Sequence, residues 1–286
     1  MSGQRGNWFT RHWQLIPGSA WMILFLIAPL IMMIYVSFWT QTSFDIKPDL
    51  TTKSWQTFFS QPVYYSALWN TIRVWLIVLV GTFVLGVPVA IFIGLFVRSN
   101  TVQTILLVLA VIPFWTSFLV RIVAWKPMLG QNGALNIILM KAHIISEPLS
   151  FLLYTEVGMI IGMIQIYLVF VVGPVTFMLS RIDPNVIEAA RDLGAGTGRI
   201  FKDILLPLSR PGLVTGAIFV SVLVLGEFAT PASLSGRKVN LLGNVIVTQV
   251  GSLKWAFASV AGVVLTVVIA LVIVGLLRIT DLRKEV

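Results

Sequence analysis

The side chains that could do acid–base or metal chemistry in this chain are concentrated in one polar segment, residues 181–211. The segment separates two long apolar runs, in a chain where only 11% of residues are charged. Its charged residues are Arg181, Asp183, Glu188, Arg191, Asp192, Arg199, Lys202, Asp203 and Arg210. Charges at helical spacing, with no nucleophile and base paired among them, are typical of a surface that another protein binds.

The residue patterns that would support catalysis by this chain alone are missing from the sequence. No GxxxxGK[ST] loop occurs, so ATP binding through a P-loop is excluded. His12 and His143 are far apart, and the absence of cysteine excludes thiolate metal sites and disulfides. The glycines 194, 196 and 198 follow a predicted helix, whereas a dinucleotide site needs them after a strand. We therefore predict that the chain is not an enzyme and binds no metal or cofactor itself.

Ionisable residues inside the apolar runs form a second group of candidates. Glu227 is the one acid well inside a run, where an uncompensated charge costs about 2.5–3.5 kcal/mol. Two interpretations stay open: a carboxylate that helps a cationic substrate across, or a structural partner for Arg121 or Arg73. An anionic substrate would instead favour Arg121 as a pore contact.

Three aromatic residues close to these charges in sequence are Phe114, Trp115 and Phe228. Aromatic side chains of this kind usually pack against neighbouring helices. They can also bind an ammonium group through cation–π contacts, worth about 1–2 kcal/mol when desolvated. Both roles remain open from the sequence.

Composition places all these candidates in a polytopic membrane protein. The chain is 57% hydrophobic with a mean hydropathy of +0.94. Six runs are long enough to cross a bilayer as helices: 17–39, 68–97, 102–125, 157–180, 212–235 and 256–279. We predict an all-α fold with one membrane domain, residues 17–279. An N-terminal segment, 1–16, and a tail, 280–286, flank it.

The distribution of Lys and Arg favours both termini on the cytoplasmic side. Arg98, Arg181 and Arg278 each end a run where it would enter the cytoplasm. The polar segment 181–211 is then cytoplasmic as well. The formal charge of +9 is scattered over loops beside the runs, so nucleic-acid binding is not indicated.

Two loops on the predicted outer side hold most of the remaining chain. Residues 40–67 are rich in Trp, Tyr and Phe, which indicates either an aromatic belt at the membrane surface or a docking surface for an external partner. Residues 134–141 form an apolar stretch too short to span, which predicts a short helix on the outer face.

Local signals predict the structure of the polar segment. Asp183 and Pro184 are typical of an N-cap and the first helical position, and Gly194 is typical of a helix stop. A second short helix is predicted from about Thr197 to Leu205. Two helices joined by a glycine turn would make an elbow under the membrane that fits a cleft in a cytoplasmic partner.

The same residues resemble a known family signature. Its positions are Glu188, Ala189, Ala190, Gly194, Ile204, Leu206 and Pro207. Arg191 and Asp192 are also the residues commonly found at their positions in that signature. This spacing resembles the EAA loop of bacterial ABC importer permeases at every defining position. The resemblance implies that the loop is a coupling helix docked on a separate ATPase.

Membership of that family would imply a complete transport system. The fold would be the MetI-like, type I importer permease fold in the bacterial plasma (inner) membrane. The partners would be two ATPase subunits that use ATP, a second, related permease, and a periplasmic or extracellular solute-binding protein. The prolines inside the runs predict kinks in the helices rather than loops.

Further positions narrow the resemblance. Residues 112–116 with Arg121, and residues 226–231 with Asn244, look like the third and fifth spans of polyamine-type permeases. They resemble the first permease of spermidine/putrescine systems. Relatives for opines, amino-acid-like and other small solutes are the alternative. An ion-coupled secondary transporter is more remote, because no inverted repeat is visible.

Overall fold

A computed structural model describes residues 15–42, 46–97, 99–236 and 238–279. The segment 1–14, Arg98 and the tail 280–286, on which predictions were made above, lie outside the described residues. The described part is mostly helical, which confirms the all-α prediction. Its one sheet is a short antiparallel pair in which Thr40 lies opposite Lys47.

The elements follow one another along the chain with short connections. In the first half they are α1 (Leu15–Met22), a π-helical turn (Ile23–Ile27), α2 (Ala28–Val36), β1 (Thr40–Gln41), β2 (Ile46–Lys47), α3 (Lys53–Ser60), α4 (Pro62–Ile91), a π-helical turn (Phe92–Phe96), α5 (Asn100–Val111), a 3-10 turn (Ile112–Trp115), α6 (Phe118–Leu129) and α7 (Ala134–Lys141). In the second half they are α8 (Glu156–Tyr167), α9 (Val169–Leu179), α10 (Pro184–Asp192), α11 (Thr197–Ile200), a π-helical turn (Phe201–Leu205), α12 (Leu206–Leu225), α13 (Ala229–Leu234), α14 (Leu242–Gly251) and α15 (Trp255–Ile279).

The described residues contain five continuous helices long and apolar enough to cross a membrane. They are Pro17–Val36, Pro62–Phe96, Glu156–Leu179, Thr197–Leu225 and Trp255–Arg278. A sixth span exists if the pair Asn100–Trp115 and Phe118–Lys141, which is bent by 96°, crosses as one unit. Six spans were predicted, and the structure agrees when this bent pair is counted.

Two predicted spans need correction. The third run is sharply broken around Ser117, beyond the kink that Pro113 predicts, and Ile112–Trp115 turn as a tighter 3-10 segment. The predicted span 212–235 begins at Thr197 and ends at Leu225. Residues 226–228 leave the helix, and α13 is a separate short helix. Pro231 contributes to this break because it lacks the N–H that would bond to the carbonyl of Glu227.

The second short helix predicted for residues 197–205 is not a separate element. It continues through a π-helical turn into α12, so Pro207 and Pro211 lie inside one long helix. A membrane helix tolerates proline where packing compensates for the missing hydrogen bond. The helix predicted at residues 134–141 is present as α7.

The described chain forms two compact units, and the single membrane domain drawn from the sequence stays a prediction. The first unit is residues 1–62 with 246–264. Its α3 helix buries Phe58. The Trp55 ring stacks between Phe38 and Phe59, with ring centroids 5.8 and 6.4 Å away. Part of the aromatic loop 40–67 therefore packs against itself.

The second unit, residues 63–245 with 265–286, holds the main hydrophobic core and both candidate sites. Its closest helix packing joins α9 to α12 at two glycines four residues apart, Gly212 and Gly216. A Cβ on Gly212 would lie 2.6 Å from the carbonyl oxygen of Pro174, and one on Gly216 would lie 3.0 Å from that of Phe170. Small residues at this spacing let membrane helices approach closely.

This contact predicts the effect of adding one methyl group. Gly212→Ala is expected to destabilise the membrane domain by about 1–3 kcal/mol, because the new atom meets backbone that cannot rotate away. Gly173→Ala is the matched control, since a Cβ there has no neighbour within 4 Å. We expect the control to be neutral or stabilising, because alanine favours a helix over glycine. Unfolding in mixed micelles by SDS titration measures both, and equal stabilities would contradict the packing argument.

Candidate functional site

The first candidate site, in the polar segment 181–211, is the helix α10, whose ends are fixed by its own sequence. The Asp183 carboxylate accepts a hydrogen bond from the Asn185 amide at 2.9 Å, and Pro184 follows it at the first helical position. At the other end Gly194 adopts φ +80, and the Ala195 amide donates to the Ala190 carbonyl at 2.9 Å. The structure confirms the predicted start and stop of this helix.

Most of the predicted docking residues face outward from this helix. Glu188, Ala189, Arg191 and Asp192 are exposed, and Gly194 follows them at the turn. Leu193, the C-cap residue of α10, is apolar but 89% exposed. The helix thus presents charged side chains and an exposed leucine, all of which are accessible to a partner.

The remaining signature residues anchor the helix to the membrane domain. Ile204 packs against the core of the second unit, beside buried Ile200 and Leu205. Leu206 and Pro207 then begin α12. A cleft of about 670 Å³ lies between α10 and the C-terminal end of the second span, and both Glu188 and Arg191 line it. Motion of α10 would therefore be transmitted directly to the fifth span.

The intramembrane candidate is built around the break after α12. Glu227 is 4% exposed, and its Oε1 accepts hydrogen bonds from the amides of Phe228, Ala229 and Thr230 at 3.0, 2.8 and 3.0 Å. Its Oε2 accepts a hydrogen bond from the hydroxyl of Tyr167. The carboxylate satisfies the amides that start α13, which have no helical partner.

Residues from the start of α14 hold the broken backbone in place. The Asn244 side-chain amide donates to the Phe228 carbonyl at 2.8 Å. Gly243 lies so close that a Cβ on it would be 2.6 Å from the Glu227 carbonyl oxygen. The break is therefore a defined, hydrogen-bonded structure.

The suggested pairing of Glu227 with an arginine is wrong for the described residues. Arg73 instead forms an ion pair with Glu156, at 2.6 Å between Nη2 and Oε1. Arg121 has no ion pair among the described residues, and its buried Nε lacks a hydrogen-bond partner. Three backbone amides and the Tyr167 hydroxyl compensate the buried carboxylate of Glu227, as an arginine would have done.

Arg121 lies against aromatic rings at the bend of the third span. Its guanidinium carbon is 4.6 Å from the Phe114 ring centroid and 5.8 Å from that of Phe118. Phe114 in turn packs edge-on against Phe170 at 4.8 Å. The structure thus brings Phe114 and Arg121 together, while Trp115 is 89% exposed.

Two intramembrane polar residues were missed by sequence reasoning, Gln165 and Tyr167. Both belong to α8. The signal that could have identified them is a polar side chain, an amide or a hydroxyl, inside an apolar run. Gln165 accepts a hydrogen bond from the Trp125 indole at 3.3 Å and lines a cavity of about 390 Å³ with Arg121. No cluster of His, Cys, Asp or Glu among the described residues could hold a metal ion.

Comparison with known proteins decides the family. The family model of the inner membrane component of binding-protein-dependent transport systems matches residues 86–286. The match includes the whole α10 region and both helix breaks. The chain belongs to this family. The membership confirms the identification as an ABC importer permease and, with it, the expected membrane-transport role.

Relatives within the family match nearly the whole chain. The spermidine/putrescine transport system permease protein PotB of Haemophilus influenzae is 35% identical over 260 residues, covering 89% of this chain and 88% of the relative. PotB of Escherichia coli is 32% identical over 266 residues, covering 93% and 96%. A putative 2-aminoethylphosphonate transport system permease of Salmonella typhimurium is 23% identical over 235 residues, covering 79% and 81%.

Solved structures show the same fold. A chain of a bacterial alginate ABC transporter, in complex with its pentasaccharide-bound periplasmic protein, superimposes with a TM-score of 0.74. The identity is 18%, and the match covers 94% of both chains. This likeness confirms the importer-permease fold.

Proposed function

We propose that this permease belongs to an ATP-driven importer of polyamines and forms one half of its translocation pathway. The observation that carries the substrate class is the near-full-length similarity to two spermidine/putrescine permeases at 32–35% identity.

The energy of ATP hydrolysis reaches this chain through α10, which docks on a partner ATPase. The chain carries no P-loop, so ATP is bound and hydrolysed by two partner subunits. The exposed Glu188 offers a charged contact, and the exposed Leu193 at the end of the same helix offers an apolar one. Since α10 continues through a short turn into the helix Thr197–Leu225, a shift of the docked helix reorients the fifth span.

The remaining partners follow from the family's transport mode. A second, related permease completes the pathway, and a binding protein delivers the solute on the outer side. Both termini and α10 face the cytoplasm of a bacterium, and the spans lie in its inner membrane. The two global states then differ in which side of the pathway is open, and each partner favours one of them.

The pathway residues proposed for a cation are Phe114, Trp115, Arg121, Glu227 and Phe228. Phe228 is 47% exposed beside the carboxylate of Glu227. All hydrogen bonds of that carboxylate go to the protein, so it acts on a passing amine through its field. A negative potential lowers the energy barrier to passage of the amine. Because the carboxylate does not contact the amine directly, it does not trap the substrate.

Reconstitution tests the substrate class directly. The permease, assembled with its cognate partners in proteoliposomes, is expected to accumulate labelled spermidine or putrescine only when ATP is inside and the binding protein is outside. Omitting the binding protein is the matched control. Uptake of an opine, an amino acid or 2-aminoethylphosphonate in place of polyamines would overturn the substrate class. Uptake driven by an ion gradient without ATP would overturn the transporter class.

A further inference from the structure

The guanidinium of Arg121 occupies the type of site that an ammonium group would bind. It lies on the faces of Phe114 and Phe118, 4.6 and 5.8 Å from their centroids. Aromatic faces attract cations through their quadrupole, most strongly where water is excluded. The site is therefore filled by a cation that the chain itself supplies.

This resident cation is held weakly. No ion pair or hydrogen bond involves its guanidinium among the described residues, and the Nε is buried without a partner. A guanidinium inside a membrane normally pairs with a carboxylate. Glu227, the one buried carboxylate among the described residues, already uses its oxygens on three amides and Tyr167. Arg121 is thus stabilised chiefly by rings that a second cation could also use.

A second position for the guanidinium lies in a cavity that Arg121 itself lines. Arg121 and Gln165 line one space of about 390 Å³ with Trp125 and Met128. The Gln165 side-chain oxygen accepts one long hydrogen bond, from Trp125 at 3.3 Å, and has a free lone pair. An exposed amide oxygen in mid-span is a suitable acceptor for a displaced guanidinium.

We propose that Arg121 is a tethered cation that occupies the Phe114–Phe118 site at rest, and that the ammonium group of a polyamine displaces it toward Gln165. This inference rests on the proposed polyamine function. Two cations cannot share one ring face, because their mutual repulsion exceeds what the ring supplies. The substrate must therefore compete with Arg121, which disfavours singly charged amines and keeps the site closed to them.

The competition makes Arg121 a specificity-determining residue. A ligand with several ammonium groups retains contacts elsewhere while one group takes the ring face, so its effective concentration there is high. A monoamine has no such advantage. Removing the tethered cation should consequently strengthen binding of all amines. It should also reduce the ratio of the affinity for polyamines to the affinity for monoamines.

Equilibrium binding to the assembled complex in nanodiscs, without the binding protein, tests the proposal. The probes are labelled spermidine and butylamine. Arg121→Gln is expected to bind spermidine about tenfold more tightly than the unmodified complex, because one competing cation–π contact is removed. Arg121→Lys, which keeps a cation on the same helix, should stay near the starting affinity. Phe114→Leu should weaken spermidine binding even when combined with Arg121→Gln.

Arg73→Gln is the matched control, because it removes the same charge from a residue paired with Glu156 and outside the site. It should leave amine binding unchanged. Unchanged or weaker spermidine binding in Arg121→Gln would overturn the tethered-cation proposal. If the complex neither binds nor transports any amine, with or without Arg121, the polyamine function itself fails.

A second variant keeps the test decisive if Arg121→Gln does not assemble. Gln165→Leu removes the second position while leaving the resting site intact. Spermidine uptake by this variant should fall several-fold at an unchanged amount of assembled complex. Uptake at the original rate would overturn the displacement step.

Discussion

Glu188→Arg is expected to abolish ATP-dependent uptake while leaving the permease folded. Glu188 is exposed on α10 and lines the cleft beside it, so no packed neighbour is disturbed. Arginine favours a helix as much as glutamate does. Reversing the charge at the proposed docking site should cost about 2 kcal/mol or more, which weakens ATPase association roughly 30-fold.

Co-purification with the cognate ATPase and uptake in proteoliposomes measure this effect. Glu147→Arg is the matched control, since it makes the same charge reversal at an exposed residue of a predicted outer loop. The control should retain both ATPase association and uptake. If the Glu188 variant also retains both, α10 is not the coupling element.

Glu227→Ala is expected to lower the stability of the membrane domain by about 2–5 kcal/mol. The substitution leaves three amides at the start of α13 and the Tyr167 hydroxyl without an acceptor in a buried place. Each buried, unsatisfied donor costs about 1–3 kcal/mol. The break at residues 226–228 would lose the group that fixes its shape.

Glu227→Gln separates the structural role of the side chain from its charge. Glutamine keeps an oxygen for the three amides, so most of the stability should survive. The lost charge should reduce uptake of a cationic substrate about tenfold, because a unit charge several ångströms away contributes 1–3 kcal/mol at an effective dielectric of about 20.

Thermal unfolding and uptake, measured on the same preparations, decide between the two effects. Tyr167→Phe should lie between wild type and Glu227→Ala in stability, since it removes one hydrogen bond to the carboxylate. Equal stability of Glu227→Ala and wild type would refute the capping role. Full uptake by a stable Glu227→Gln would refute the electrostatic one.

The helix α10 shows how much local sequence determines. Its start depends on Asp183 and Pro184 and its end on Gly194, and each acts on residues no more than a few positions away. The extent of the apolar runs is equally local, because about 20 apolar residues suffice to predict a span. The structure reproduces both ends of α10 and the position of most spans, while the third and fifth runs are broken where the sequence predicted continuous helices.

The intramembrane site was decided by tertiary structure. The Glu227 carboxylate accepts a hydrogen bond from Tyr167, which is 60 residues away in the chain. Arg73 pairs with Glu156, which is 83 residues away. A carboxylate in an apolar run must be compensated, but nothing in its neighbourhood specifies whether by an arginine or by backbone amides. That choice depended on where the fifth span breaks.

The break itself depended on packing that no local pattern records. Residues 212–235 are apolar enough for one continuous span, and Pro231 alone predicted a kink. The helix ends at Leu225 because Gly243 and Asn244 contact the backbone there and Glu227 turns back to cap α13. The sequence by itself determined that the chain is helical and where the ends of α10 lie, because these depend on residues a few positions apart. Only long-range contacts decided where the spans break and which charges remain unpaired, because those contacts join residues that are distant in the chain.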